Sequence, residues 1–115
     1  MRLRKTVPGY YPRWLKGGEA AAIVADTCVI AYDIYFLTHK ASPNHVVSTV
    51  LKGIWDNVDK LPPLHPGFKE WTRERAVDPE VTIPYHPGAA AFYKEGKVWT
   101  TKMDETQKKL LALNP

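Results

Sequence analysis

The sequence predicts an α/β domain, a few strands packed with helices, over residues 1–115. Three observations predict it. AAAIVADTCVIAYDIYF at 20–36 is an apolar run rich in β-branched and aromatic residues. SPNHVVSTVLKGIWDNVDKL at 42–61 is amphipathic. A His-Pro-Gly motif occurs twice, in PLHPGFKEW at 63–71 and in PYHPGAAAFY at 84–93.

The totals agree with one folded domain. A chain of 115 residues buries roughly two-thirds of its unfolded surface, enough for a modest core. With 44% hydrophobic and 24% charged residues, ordinary globular values, wholesale disorder is not expected.

Residues 1–19 carry Pro8, Gly9, Pro12, Gly17 and Gly18 around Tyr10, Tyr11 and Trp14, punctuation that reads as loop and turn. The apolar run then predicts a strand near 20–26 and a second extended or short helical piece near 28–37. Residues 79–84 are the remaining strand candidate. Between them lies the clearest element. Val46, Val47, Val50, Leu51, Ile54, Trp55, Val58 and Leu61 share one face at helical spacing. Ser42 suits the N-cap, Pro43 the first helical position, and Pro62-Pro63 the stop, so a helix is expected over 43–60. Its apolar face should bury Trp55.

In each His-Pro-Gly copy, proline fixes its own backbone for a first helical turn and disfavours helix before it. Short helices are expected after both, with each histidine at or beside the N-cap. In the second copy Ala89, Ala90 and Ala91 favour helix, and Gly96 suits a C′ stop. Asp104 is a cap candidate for a terminal helix.

Chemistry is sparse. The four histidines, His39, His45, His65 and His86, include no pair at the i, i+4 spacing with glutamate that holds zinc, and none lies near the cysteine. His65 and His86 therefore read as capping or packing residues, and no metal or cofactor is expected. The single cysteine, Cys28, excludes an internal disulfide. Set inside ADTCVIAY, it reads as a small buried hydrophobe rather than a nucleophile. No glycine-rich phosphate loop or paired carboxylates appear, so no enzyme is expected. The net charge is +4, but the basic residues are dispersed, and nucleic acid is not an expected partner.

The stretch GYYPRW offers more. Tyr10 and Tyr11 present apolar bodies with polar tips, and Arg13 can pair a carboxylate through two parallel hydrogen bonds. These three are the candidate ligand-binding residues. The competing reading is aromatic packing over the domain edge.

VPGYYP, a strand, the helix VVSTVLKGIWDNVDKL, a leucine-histidine-proline segment and IPYHPGAAAFYKEGKVW follow one another in this chain. That succession resembles the C-terminal third of TAXI-type solute-binding proteins of TRAP transporters, over roughly residues 6–102. The last stretch is the most specific part. The resemblance implies a type 2 periplasmic-binding-protein fold, here partial. It also implies capture of a small organic anion such as an amino acid or dicarboxylate, and delivery to TRAP permease subunits without catalysis. RWLKGGEAAA departs from the short polar, acidic connection that family members have there. The resemblance implies a periplasmic setting. The chain's N-terminus lacks the apolar core of a signal peptide, so a true start at Met1 would imply the cytoplasm. Because the family's complete proteins are considerably longer, uncovered strand edges are expected here, and with them a homo-oligomer. The alternative is a stand-alone interaction or oligomerisation module derived from the same scaffold.

Overall fold

The computed structural model describes residues 2–113 of the chain. They mix helix and strand, consistent with an α/β class, and gather into two compact units, Met1–Phe36 and Leu37–Pro115.

The first unit is a helical turn and a two-stranded ribbon. Helix α1 spans Arg2–Thr6, β1 spans Tyr10–Leu15 and β2 spans Thr27–Tyr32. Gly9 turns the chain into β1 with φ of 88°, a left-handed conformation that glycine adopts without a Cβ penalty. The two strands pair antiparallel, Tyr10 opposite Tyr32 and Leu15 opposite Thr27. Pro12 is tolerated because both strands of a two-stranded ribbon are edges.

Two expectations are corrected here. Residues 10–15, read as loop, form a strand, whereas 20–26, read as a strand, form the connection. That connection is closed locally. Gly18 donates its N–H to the Ile23 carbonyl at 2.6 Å, and Gly17 donates to Asp26 Oδ1 at 3.1 Å. Alanine-rich AAAIVA has weak strand preference, and Val24 is left 95% exposed. The second piece, expected near 28–37 as extended or short helical, is extended over Thr27–Tyr32 as β2.

The second unit holds α2 (Asn44–Asp56), α3 (Pro87–Glu95) and α4 (Thr101–Leu113), with short 3₁₀ turns at Val58–Lys60 and Pro66–Glu70. The expected helix over 43–60 is α-helical to Asp56 and tightens to 3₁₀ before Pro62. Pro43 is its N-cap and no side chain caps it; the Ser42 hydroxyl instead shares a hydrogen bond with Thr38 Oγ1 at 2.8 Å. No strand forms over 79–84. Asp78 Oδ1 accepts from the Glu80 N–H at 2.8 Å, the local turn chemistry of an aspartate.

Gly88 of α3 lies against Asn44 at the start of α2, and Phe92 and Tyr93 meet Trp55 near its end. The two helices therefore run in the same sense. Among the described residues the buried apolar side chains are Val58, Ala89, Tyr93, Met103 and Leu110, all in this unit. Trp55, expected in the core, is only half-buried. Phe92 packs edge-on against it and the Arg73 guanidinium lies over its ring, 5.8 Å from the centroid.

Helix α4 is joined to the segment before α3 by polar contacts. Gln107 accepts from the Tyr85 N–H at 2.8 Å and donates to the Tyr85 carbonyl at 2.7 Å, while Thr106 donates to the Pro79 carbonyl. Thr100, not Asp104, stands at the start of α4, its carbonyl accepting from Met103 and Asp104. Asp104 turns to Lys94 at 2.8 Å and the Trp99 indole N–H at 2.9 Å. Those two hydrogen bonds, the Lys94 one first, hold its carboxyl below the usual aspartate range.

The end of α3 also differs from expectation. The Val98 N–H reaches back to the Tyr93 carbonyl and the Lys97 N–H to that of Lys94, the paired bonds of a Schellman ending. The left-handed residue is Lys97, with φ of 58°, whereas Gly96 is right-handed at φ of −71°. Glycine stands one position too early. Lys97→Gly should therefore stabilise the protein by about 1 kcal/mol, relieving a left-handed side chain. A chemical-denaturation midpoint that falls or stays put would contradict this.

Candidate functional site

The strand β1 decides how the three candidate residues are arranged. Successive side chains on a strand point to opposite faces. Tyr11 and Arg13 share one face with Val29 and Ala31 opposite them, while Tyr10 joins Trp14, Ile30 and Tyr32 on the other. The structure brings Tyr11 and Arg13 together and separates Tyr10 from them.

On the shared face the Tyr11 hydroxyl donates to Asp33 Oδ1 at 2.9 Å, and the Arg4 guanidinium sits over the Tyr11 ring at 5.7 Å. Arg13 Nη2 lies 3.6 Å from Glu19 Oε1, both side chains partly exposed. The other oxygen of Glu19 accepts from the Lys16 N–H at 2.9 Å, so the carboxylate is held by its own turn. This is a long, exposed ion pair, of the kind worth about 0–1 kcal/mol. Glu19 Oε1 thus occupies the place a ligand carboxylate would take against Arg13. The face thus sets two cations, Arg4 and Arg13, against two carboxylates, Asp33 and Glu19, and the long Arg13–Glu19 contact is the one for which a small anion would compete. The Glu19 partner was not legible in the sequence, because only the loop that follows β1 brings it back.

A second candidate is an open groove of about 260 Å³ between α2 and α3, walled by Trp55 and Phe92 and edged by Lys52, Asp56 and Glu95. It is smaller than the roughly 300–1,000 Å³ typical of small-molecule sites. Lys52 and Asp56 also satisfy one another at 2.6 Å.

The histidines answer the question posed by their repeated motif. His65 Nδ1 accepts from the Gly67 N–H at 3.0 Å and His86 Nδ1 from the Gly88 N–H at 3.1 Å. Both are N-caps with extended backbone, followed by proline at the first helical position. Among the described residues, no three His, Cys, Asp or Glu side chains cluster as metal ligands would. Cys28, expected to be buried, is exposed. It lies opposite Trp14, which is exposed on the same ribbon face.

The description of an NMT1-like family matches residues 2–96, most of the chain and both units. The chain belongs to the NMT1-like family. Membership in this periplasmic solute-binding-like family carries a general solute-binding role. The matched span contains β1, β2, both His-Pro-Gly caps and α3. No curated protein matched the chain. No helix among the described residues is long and apolar enough to cross a membrane.

Proposed function

We propose that this NMT1-like chain takes part in extracytoplasmic capture of a small organic anion, an amino acid or dicarboxylate, as part of a TAXI-type solute-binding protein serving a TRAP permease. It does so without catalysis. The observation that carries the reading is Arg13, partly exposed on the same ribbon face as Tyr11 and 3.6 Å from Glu19. A ligand carboxylate that displaces Glu19 gains a charge-assisted, two-point pairing that Glu19 does not make. The resemblance of IPYHPGAAAFYKEGKVW to the closing segment of TAXI-type proteins supports the transporter class, with a partial type 2 periplasmic-binding-protein architecture.

Calorimetry against a panel of dicarboxylates and amino acids tests it. Arg13→Ala should weaken the anion that binds by about 1.5–3 kcal/mol, roughly ten- to a hundredfold in Kd. Glu19→Gln keeps an acceptor for the Lys16 N–H and removes the competing charge, so affinity should rise. A panel without binders, or affinities unmoved by both substitutions, would overturn the reading.

A further inference from the structure

The ribbon of the first unit has one face with Tyr11, Arg13 and Asp33 and another with no charge at all. The uncharged face consists of Tyr10, Pro12 and Trp14 on β1, and Cys28, Ile30 and Tyr32 on β2. Trp14 is 72% exposed, Ile30 65% and Tyr32 63%, and the alternation of exposed side chains continues along the chain through Ile34 and Phe36. Tyr10 and Tyr32 pack against each other across the strands, ring centroids 5.6 Å apart and planes tilted by 50°, which preorganises the surface.

We propose that this face is a self-association surface, covered by the same face of a second copy of the chain in a two-fold dimer. Three arguments select that occupant. A two-stranded ribbon is at best marginally stable in water and needs an apolar face covered. The second argument is size. With aromatic side chains of 150–250 Å² each, the exposed part of this surface comes to roughly 800 Å² per copy, half of a standard interface and above the largest patch usual on a monomer. The third is charge. A charged partner would strand its charges against a surface with nothing to pair them, at a cost of several kcal/mol per ion. A second copy brings the same uncharged surface, and a two-fold interface requires that self-complementarity. Arg13 and Asp33 stay outside it, so anion capture on the opposite face is independent of the association.

The net charge of each copy is +4, so association should strengthen as salt screens the repulsion. Sedimentation equilibrium of the 115-residue chain should show a species of twice 13.0 kDa that grows with concentration and with salt. Ile30→Lys places a charge at the centre of the face and should return the protein to monomer; Arg13→Ala, on the other face, should leave the dimer intact. Cys28 serves as an independent reporter in the unaltered chain. Its reaction with a thiol reagent should slow by about tenfold where nine-tenths of chains are dimeric. A monomer at every concentration would overturn the proposal. So would a dimer that survives Ile30→Lys, a Cys28 rate independent of concentration, or slowing that appears only on addition of a different polypeptide.

Discussion

Gly88→Ala is expected to cost about 3 kcal/mol of stability, the upper range for forcing a methyl into a filled contact. A Cβ built on Gly88 would lie 2.6 Å from the Asn44 carbonyl oxygen, 2.9 Å from its Cα and 3.1 Å from its carbonyl carbon. All three are backbone atoms, so no rotamer change can clear them. Either α3 withdraws from the start of α2, or the first turn of α2 gives way. Withdrawal would loosen the contacts of Phe92 and Tyr93 with Trp55 further along the same helices. The helix-favouring effect of alanine, up to about 1 kcal/mol over glycine, offsets only part of this.

The other copy of the motif supplies the control. A Cβ on Gly67 would meet only the ring of its own capping histidine, His65 Nδ1 at 3.1 Å and Cε1 at 3.4 Å. A side chain can swing by a few tenths of an ångström, so Gly67→Ala should cost under about 1 kcal/mol. Urea denaturation of both variants beside the unaltered protein decides the matter. Equal midpoints for the two would mean that glycine serves the cap alone in both copies. A midpoint lowered only for Gly88→Ala would mean that the second copy also sets the approach of two helices.

That contrast shows what could be read from the sequence. Histidine before proline was legible as a cap, because proline holds the preceding residue extended and pre-sets its own φ. The backbone agrees: ψ of 139° at His65 and 143° at His86. Helix α2 was legible because eight apolar residues recur on one face. That Gly88 touches Asn44 was not, since nothing local in PYHPGAAAFY names a partner more than forty residues away.

The ribbon was misread for a related reason. Strand identity comes from pairing and packing more than from composition. GYYPRW carries turn-forming residues, yet pairs with 27–32, while AAAIVAD, apolar but alanine-rich, turns back on itself. Once β1 is recognised, the separation of Tyr10 from Tyr11 and Arg13 follows from alternation, and so does the exposure of Cys28 beside Trp14. Only the Glu19 contact needed the loop geometry. Part of the candidate site was thus within reach of the sequence, had the strand been assigned.

Met103→Ala should cost about 2–4 kcal/mol, the range for removing a long buried apolar side chain and leaving a cavity. Met103 is 2% exposed, the least exposed apolar side chain of the core, and Leu110 lies two helical turns further along the same face of α4. Cores tolerate truncation by collapsing, and here collapse is restrained. Gln107, between the two on that face, is tied by two hydrogen bonds to the Tyr85 backbone, and Thr106 holds the Pro79 carbonyl. Helix α4 cannot slide inward to fill the space without breaking them, so most of the cavity should persist. Met103→Leu, nearly conserving volume, should lose under about 1.5 kcal/mol. Leu111→Ala, at an exposed position of the same helix, should stay within about 0.5 kcal/mol. Guanidinium unfolding followed by tryptophan fluorescence reads all three. A loss for Met103→Ala no larger than that for Leu111→Ala would mean that α4 does not close the core, and that the polar ties of Gln107 and Thr106 hold it in place without help from packing.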